Sequence, residues 1–428
     1  MSKSKGEEEE NSWDPYKADK EIGKQMDIAR DIFLYVFFFF RFRKTSRSRR
    51  RTITTFSHRR YQRDEDIVSS KEKKRLQEQI LNTIKERDMA PMYVTLTKMF
   101  GWKLDEKLHA ELKAKNEKKL KELDEKYSDA EKNQGEYEVL TAATEKANYL
   151  SSIGDKAAMQ KAFELVKEKA FSSGQKIDAS FNVMRNAFMH DDLDLMKKAL
   201  EDSKQLVEEG GDWDRRNRRR VYEGVYKLSQ RDVSSATELF LSAVATFTCF
   251  ELISYESLIA YTVLTSMITL DRASLKEKVV KNSDVLSTIG KIPYLSELLH
   301  AFYECRYRDF FVALVGIHSY MLRDRLLSRH TSYFVRELRI IAYKQLLQSY
   351  QSVRLDSMAQ TFGVSVDFLD RELSRFIGVK RLAAKIDKVA GVIETNRPDA
   401  KNAQYNDIIK HGDALLNQIH RLTRAIRI

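Results

Sequence analysis

The sequence predicts a mostly α-helical protein, in which a solenoid of stacked helical hairpins is followed by a winged helix and a separate C-terminal helix. Three observations support this fold class. Only 4 of the 428 residues are proline and 15 are glycine, so few positions interrupt a helix. Turn signals that contain an aspartate recur at a nearly constant spacing. The last residues of the chain repeat apolar side chains every seven positions.

The sequence predicts that residues 1–69 form a disordered tail that contains an anomalous insert. The insert, residues 32–63, joins the apolar run IFLYVFFFFRF to an arginine-rich run, and it carries ten Lys or Arg residues and no acidic residue. The apolar run is shorter than the roughly 20 residues that span a bilayer as a helix. We interpret the insert as a translated intron or a mis-joined exon. A nuclear localisation signal or a basic tether is the alternative.

The formal net charge of +12 does not indicate that the folded body binds nucleic acid. Subtracting the ten basic residues of the insert from this charge leaves about +2 for the other residues, whose charges of both signs are interspersed. A nearly neutral body lacks the strong positive potential that nucleic-acid-binding proteins use.

The sequence predicts that residues 70–230 form a domain of helical repeats. The repeated turn signal continues beyond residue 230. Aspartates mark the turns at Asp155, Asp192, Asp232, Asp271 and Asp309, which are separated by 37, 40, 39 and 38 residues. This spacing is typical of stacked helical hairpins. In tetratricopeptide-like repeats a small residue lets two helices approach, and an aromatic ring fills the gap to the next pair. Such residues are Ala147, Tyr149, Leu150, Gly154, Ala158 and Phe163 in one repeat, and Tyr222, Gly224, Ala236 and Phe240 in another.

The segment around Trp213 admits two interpretations. In the first, the arginines that follow it form a basic contact to an acidic partner. In the second, which we favour, Trp213 packs between repeats and the arginines form a solvated helix start that pairs with nearby acids. The arginines are Arg215, Arg216, Arg218, Arg219 and Arg220, and the acids are Glu208, Glu209, Asp212 and Asp214.

Residues 231–400 predict further repeats that end in a winged helix. Two helices, FVRELRIIAYKQLLQSY and SVRLDSMAQTF, precede a turn at Gly363. The buried stripe of the next helix is predicted to contain Val366, Leu369, Leu373 and Phe376. Two short apolar-alternating runs, residues 382–386 and 392–395, then predict a β-hairpin. The edge of such a hairpin can accept a strand from a neighbouring protein.

The same region has the helix-turn-helix arrangement of DNA-binding proteins. Its acidic residues favour binding to other protein subunits over binding to DNA. Asp367, Asp370 and Glu372 lie on the helix that would enter the major groove, where they would repel the phosphates. We therefore expect no nucleic-acid partner.

Residues 401–428 predict a bundle helix with an apolar seam. Tyr405, Gly412, Ile419 and Ile426 lie seven residues apart, and Ile408, Leu415 and Leu422 alternate with them. Burying a large apolar side chain stabilises a protein by about 1.5 to 3 kcal/mol, so six of them represent on the order of 10 kcal/mol, as an upper limit, that an isolated helix does not gain. A break at residues 396–399 is predicted to direct the helix outward. The alternative is that the helix folds back on its own winged helix.

The expected partner-binding residues follow from the hairpin and the seam. They are Ile386, Val392, Ile408, Leu415, Ile419, Leu422 and Ile426.

The sequence does not predict an enzyme. Cys249 and Cys305 lie 56 residues apart without a metal-ligand spacing, and no phosphate-binding glycine loop, HExxH pair or nucleophile elbow occurs. The two cysteines are predicted to be small core residues in a reducing compartment. We expect no catalytic residue, no metal and no cofactor.

Several motifs resemble a known family. Helical repeats that end in a winged helix resemble the PCI module, which occurs in the proteasome lid, in the cullin-deconjugating signalosome and in eukaryotic translation initiation factor three. Residues 70–428 more narrowly resemble the non-ATPase regulatory subunit 6 family of the proteasome lid. The matching motifs are EEGGDWDRRNRRRVYEGVY, ELFLSAVATFT, YECRYRDFF, ELSRFI, KIDKV and ETNRPD.

The resemblance implies a non-catalytic scaffold subunit of the 26S proteasome regulatory particle lid, in a complex that recognises, deubiquitinates and unfolds ubiquitinated substrates. It implies side-by-side association with other PCI subunits of the lid and a helical bundle formed by C-terminal helices, in the cytoplasm and nucleus, without membrane contact. A signalosome subunit is the alternative, although GGDWDRRNR and ETNRPD favour the proteasome. The insert at residues 32–63 has no counterpart in the family pattern.

Overall fold

The computed structural model describes residues 70–133, 135–395 and 400–426. The predicted disordered tail, its insert and the predicted break at residues 396–399 lie outside the described residues. The described residues form two compact units, one of the residues up to Pro293 with Ser319–Thr331, the other of Tyr294–His318 with the residues from Ser332 onward. The predicted domain boundaries after residues 230 and 400 stay predictions.

The first unit consists of paired helices in chain order. The helices are α1 (Ser70–Glu86), α2 (Ala90–Phe100), α3 (Glu106–Asn133), α4 (Glu136–Ile153), α5 (Lys156–Lys169), α6 (Ser173–Met189), α7 (Leu193–Gly210), α8 (Trp213–Ser229), α9 (Val233–Ala243), α10 (Tyr255–Thr269), α11 (Arg272–Leu275), which continues into a π-helical turn (Lys276–Val280), and α12 (Ser283–Ile289). The predicted helical solenoid is confirmed.

The three predicted turns at Asp155, Asp192 and Asp232 are built in the same way. The helix before the turn ends in a left-handed residue, which is Gly154 (φ 84°), Asp191 (φ 59°) or Arg231 (φ 68°). The aspartate that follows then caps the next helix, and the Asp155 carboxylate accepts hydrogen bonds from two backbone N–H groups at 3.1 Å. Asp192 and Asp232 cap α7 and α9 in the same way. Because such a cap contributes about 1 kcal/mol, the recurring aspartates fix where the chain reverses.

The last two predicted turns differ from the first three. Asp271 stands at the start of the four-residue helix α11 but makes no side-chain capping bond. The predicted turn at Arg308-Asp309 is wrong, because both residues lie in the first turn of the helix Tyr307–Arg323. In this hairpin the left-handed residue is Cys305 (φ 62°), and no aspartate follows it directly.

Small residues and aromatic rings form the contacts between helices, as the repeat pattern predicts. A Cβ atom added to Gly224 on α8 would lie 2.6 Å from a ring carbon of the buried Phe240 on α9. Phe181 and Tyr222 stack with ring centroids 5.2 Å apart. Close packing of this kind leaves no space for an added methyl group.

The environment of Trp213 and the arginines after it contradicts the interpretation that we favoured, whereas the contact to an acidic partner stays a prediction. The Trp213 side chain is 62% exposed rather than packed between repeats. Arg215 pairs with Asp178 at 2.8 Å and Arg219 pairs with Glu223 at 3.2 Å. Arg218 reaches Glu251, which is 2% exposed, on the connection between α9 and α10. Arg215 and Arg218 therefore link α8 to α6 and to the α9–α10 connection, whereas the Arg219–Glu223 pair lies within α8.

The Glu251 carboxylate is the centre of a buried polar cluster. It accepts hydrogen bonds from Arg218 and, at 2.9 Å, from the Tyr222 hydroxyl. Burial opposes its charge, but the adjacent guanidinium outweighs burial and holds the pKa of Glu251 below its ordinary value of 4.5. The predicted core position of Cys249 is confirmed, since this buried thiol lies 3.9 Å from the same carboxylate.

The segment Ser319–Thr331 docks on the carboxyl ends of α6 and α8. The Arg325 guanidinium donates to the carbonyls of Phe188 and, at 3.1 Å, of Met189. Burial lowers the pKa of Arg325 to about 10, which leaves the group charged at neutral pH. One ring nitrogen of His330 lies 3.2 Å from the Ser229 carbonyl, and Arg231 donates to the other. The ends of two repeat helices are thereby closed by polar side chains.

The second unit is a winged helix. It contains α13 (Leu295–Tyr303), α14 (Tyr307–Arg323), α15 (Thr331–Ser349), β1 (Ser352–Arg354), α16 (Leu355–Phe362), α17 (Val366–Gly378), β2 (Ala384–Asp387), β3 (Val392–Thr395) and α18 (Ala400–Ile426); α14 and α15 also supply residues to the first unit. The buried Phe362 lies against the rings of Tyr307, Phe311 and Tyr343 at centroid distances of 4.8, 5.2 and 4.9 Å.

The helix-turn-helix and the hairpin are confirmed, with two corrections. Gly363 ends α16 in the left-handed conformation (φ 66°). Residues Ser352–Arg354 were predicted as helix but form a strand that completes an antiparallel three-stranded sheet in the order β1-β3-β2. Leu369, Leu373 and Phe376 are buried in α17, whereas Val366 is 39% exposed, since it is the first residue of the helix.

We predict that Gly224→Ala destabilises the protein by about 1 to 3 kcal/mol, because the added methyl group overlaps the Phe240 ring. Thermal and urea unfolding would measure the loss. Gly412→Ala is the matched control, since nothing lies within 4 Å of its added Cβ. That substitution should leave stability unchanged or raise it by up to about 1 kcal/mol. Equal effects of the two substitutions would contradict the packing argument.

We also predict that Glu251→Gln destabilises the first unit by about 3 to 5 kcal/mol, because Arg218 then lacks its buried counter-charge. The folded-state pKa of Glu251 is depressed. Its contribution is therefore fully present above the unfolded pKa of about 4.5 and is lost as pH falls through the lower folded value. The variant should lose less stability than wild type on acidification. Glu256→Gln, at a half-exposed pair with Lys291, should change stability by less than about 1 kcal/mol at neutral pH.

Candidate assembly surface

Helix α18 presents a continuous apolar face to solvent. The predicted seam residues are exposed by 48 to 75% of their surface: Tyr405, Ile408, Leu415, Ile419, Leu422 and Ile426. Gly412 continues the line, with nothing within 4 Å of where its Cβ would lie. The alternative prediction, that this helix folds back on its own winged helix, is wrong for these side chains, because packing would have buried them.

Two further residues widen this face beyond the predicted seam. Ile409 is 59% exposed and Leu416 is 56% exposed. Each directly follows a seam residue, and together the three positions of each heptad form a stripe of about 100° around the helix. A stripe of this width is typical of a helix that contacts more than one neighbour, whereas a two-stranded coiled coil uses a narrower seam. In the sequence, the adjacent apolar pairs Ile408-Ile409 and Leu415-Leu416 could have predicted this wider face.

We call the β2–β3 hairpin the wing. Its two predicted partner-binding residues, Ile386 and Val392, occupy different positions in the sheet. Ile386 on the edge strand β2 is half-buried and stands opposite the buried Ile393, so both side chains face the same side of the sheet. Val392 lies on the central strand β3, opposite Arg354 on one side and Asp387 on the other. Since β3 has a partner on both sides, the strand positions available to a neighbouring chain are along β1 and β2.

Polar contacts hold the wing against the helices of the second unit. The Lys388 ammonium lies 3.2 Å from the Asp370 carboxylate on α17, and Leu355 donates its backbone N–H to Gly391 at 2.9 Å. Glu337, which is 4% exposed on α15, accepts from Arg381 just before β2. The orientation of the wing is therefore fixed by contacts at both ends of its hairpin.

The half-buried Glu372 carboxylate links two helices beneath the wing. The Tyr343 hydroxyl donates to Glu372 at 2.7 Å, and Arg339 pairs with the same carboxylate at 2.7 Å. Burial and the adjacent carboxylate raise the pKa of Tyr343, so the phenol stays protonated. Glu372 thus binds groups of the domain itself, and Asp370 is half-buried beside Lys388, so neither is placed to repel phosphates as predicted. Of the three acids that we expected to repel DNA, only Asp367 is freely exposed.

The described residues present an apolar helix face and the edges of a small sheet to solvent. In the part of the chain that the structure describes, no three His, Cys, Asp or Glu side chains are grouped so that they could hold a metal ion. No described helix has the length and apolar content needed to cross a bilayer. The prediction that Cys305 is a core residue is wrong, since this free thiol is half-buried at a turn, where Gln345 donates to its sulfur at 3.2 Å.

Three family models match successive parts of the chain. A model described as 26S proteasome subunit RPN7 matches residues 105–278. A PCI domain model matches residues 315–397. A model described as the 26S proteasome regulatory subunit RPN7/PSMD6 C-terminal helix matches residues 404–426, which are the residues that carry the exposed apolar face.

Curated relatives are similar over most of their length. The chain is 49% identical over 355 residues, 83% of this chain and 92% of the relative, to the 26S proteasome non-ATPase regulatory subunit 6 homolog of Arabidopsis thaliana. It is 39% identical to the 26S proteasome regulatory subunit RPN7 of Saccharomyces cerevisiae, over 84% of this chain and 90% of the relative. COP9 signalosome complex subunit 1 of Arabidopsis thaliana is 28% identical over 41% of this chain and 39% of its own length.

We predict that removing α18 by ending the chain at Asp399 leaves the unfolding temperature unchanged within about 2 °C. The apolar side chains of this helix are exposed and so contribute little to the stability of the isolated chain. Leu369→Ala, at a buried position of α17, is the comparison, since a cavity there should cost about 2 to 5 kcal/mol. Differential scanning calorimetry measures both. A truncated chain as destabilised as the Leu369 variant would mean that α18 packs on its own domain.

Proposed function

This chain belongs to the family of 26S proteasome non-ATPase regulatory subunit 6, also named RPN7, and we propose that it acts as a non-catalytic scaffold subunit of the proteasome regulatory particle lid. In this role it would support ubiquitin-dependent protein degradation by holding other subunits in place. The observation that carries the proposal is the exposed apolar face of α18, which coincides with a family-specific C-terminal helix.

The energetics of α18 favour burial against neighbouring helices. Each of its large apolar side chains contributes about 1.5 to 3 kcal/mol when it leaves water. The residues proposed to do so are Ile408, Leu415, Ile419, Leu422 and Ile426, to which we add Ile409 and Leu416. Because the stripe is about 100° wide, the proposed partner is a bundle of C-terminal helices from lid subunits rather than one helix.

The wing supplies a second proposed contact. Strand β2, which contains Ile386, has a backbone edge that pairs only with β3 among the described residues. We propose that a neighbouring PCI subunit of the lid pairs along this sheet edge, with Val392 beneath the contact on the adjacent strand. Strand addition would satisfy backbone groups through hydrogen bonds and would fix the order of subunits. The proposed partners are proteins, not nucleic acids or membranes.

We also propose that the chain has no catalytic role. The relatives are named as regulatory subunits, and a scaffold needs only the surfaces described above. We propose that the chain works in the cytoplasm and the nucleus, where its cysteines remain reduced.

A subunit of the COP9 signalosome is the second candidate function. The similarity to COP9 signalosome complex subunit 1 supports it over about two fifths of the chain. The regulatory subunit 6 relatives are more similar and cover more than four fifths of the chain, which is why the proteasome lid is preferred.

We predict that Leu415→Glu together with Ile419→Glu prevents the tagged chain from entering the regulatory particle. Two buried charges without partners would oppose the proposed helical bundle by several kcal/mol. Affinity purification followed by native gels and identification of co-purifying proteins measures incorporation. We expect at least a tenfold loss with the chain itself still folded.

Asn417→Glu is the matched control, since it adds a charge on the polar side of the same helix. It should enter the complex as wild type does. Recovery of signalosome subunits in place of proteasome subunits would favour the second candidate. Normal incorporation of the double variant would refute the proposed role of α18.

A further inference from the structure

His330 lies where the segment Ser319–Thr331, which we call the docking segment, meets the turn between α8 and α9. Arg231, in the left-handed conformation at that turn (φ 68°), donates its Nε–H to Nδ1 of His330 at 3.2 Å. Since a guanidinium can only donate, Nδ1 is the acceptor and carries no proton. Nε2 therefore carries the ring proton and donates to the Ser229 carbonyl at 3.2 Å. These two hydrogen bonds together require a neutral ring.

The surroundings of His330 oppose a positive charge on this ring. The side chain is 7% exposed, and the two charged groups that act on it, Arg231 and Arg329, are both cations. Burial first, and then these two cations, hold the pKa of His330 below its ordinary value of 6.5. The hydrogen bond to the Ser229 carbonyl acts in the opposite direction without outweighing them.

The carboxylates of the docking segment and of the two turns beside it already have partners. The pairs are Asp191 with Arg329, Asp232 with Lys227 at 3.3 Å, and Asp324 with the Tyr261 hydroxyl at 2.7 Å. The other charged group of the segment, Arg325, lines the same small cavity as the His330 ring. A proton on His330 therefore adds a cation to a group of arginines and brings no counter-charge with it.

We propose that His330 makes the docking segment a proton-sensitive latch, which is closed while the ring is neutral and leaves the α8–α9 turn when the ring is protonated. Protonation places a hydrogen on Nδ1, where it faces the Nε–H of Arg231. The hydrogen bond between the two groups is then replaced by a contact between two donors that both carry positive charge. The bonds from Arg325 to the carbonyls of Phe188 and Met189 involve no group of that kind, so the release is local to the α8–α9 turn.

The direction of the pH dependence follows from the lowered pKa of His330. The closed segment binds the proton more weakly than an open segment, in which the ring has its ordinary pKa of 6.5. The contribution of the latch is therefore fully present above pH 6.5 and is lost as pH falls through the lower pKa of the closed state.

A second histidine adjoins the docking segment and must be separated from the first. His190 follows the last residue of α6, and its pKa is also lowered, by burial and by the charges of Lys156 and Arg325. Since it is not part of the contact between His330 and Arg231, its replacement provides a matched control.

Hydrogen–deuterium exchange of the full-length chain tests the latch. The amides of residues 324–331 are compared at each pH between wild type and His330→Gln, which stays neutral and keeps one donor and one acceptor. Comparison at the same pH cancels the intrinsic pH dependence of exchange. We expect the ratio of the wild-type rate to the variant rate to rise at least about threefold between about pH 7.5 and about pH 5.5. In His190→Gln the wild-type rise should remain.

Histidine ring NMR of the same chain provides a second measurement, which does not require the His330 variant to have native stability. Arg231→Gln should raise the pKa of His330, because it removes the adjacent cation. Arg306→Gln, at a half-exposed arginine of the α13–α14 turn, should leave that pKa unchanged. Thermal melts at neutral pH check the folding of each variant.

Three results would overturn the proposal. They are a wild-type His330 pKa at or above 6.5, a His330 pKa that Arg231→Gln does not raise, and exchange of residues 324–331 with the same pH dependence in wild type and in folded His330→Gln. Loss of the rise in His190→Gln would assign the pH dependence to the other histidine and would also contradict the latch.

Discussion

The apolar stripe of α18 is the constraint on which the interpretation of this protein depends. A helix of 27 residues whose large apolar side chains remain about half or more exposed gains nothing from the hydrophobic effect until another surface covers it. In two heptads the stripe contains two adjacent apolar residues, Ile408-Ile409 and Leu415-Leu416. It is therefore wider than the a/d seam of a two-stranded coiled coil. This exposed face is the basis of our proposal that the chain functions in assembly.

The helical repeats form most of the first unit. Their geometry depends on short-range rules repeated along the chain, namely a left-handed residue to end one helix and an aspartate to begin the next. Longer-range contacts then set the relation between repeats. Arg218 and Glu251 pair across the α9–α10 connection, and Gly224 lets α8 approach α9.

The sequence predicted those features that are encoded locally or by a regular period. The helical hairpins, the turn at Gly363 and the wing hairpin are of this kind, since each depends on residues close together in the chain. Strand β1 was missed because three residues, Ser352–Arg354, become a strand only through pairing with β3 about 40 positions later. The exposure of Trp213 and the burial of Glu251 were also beyond sequence reasoning. Both depend on which face of a helix or loop the neighbouring repeat covers, and no periodicity records that.

Hydrogen–deuterium exchange of the backbone amides of α18 tests the central claim most directly. The measurement compares residues 405–426 in the purified chain alone with the same residues in the assembled regulatory particle, using α17 as the internal reference. An unpartnered helix should exchange much faster than α17 in the isolated chain and should become strongly protected on assembly. If α18 in the isolated chain were already as protected as α17, its apolar face would be covered within its own chain, and the interpretation of the chain as an assembly subunit through this helix would be wrong.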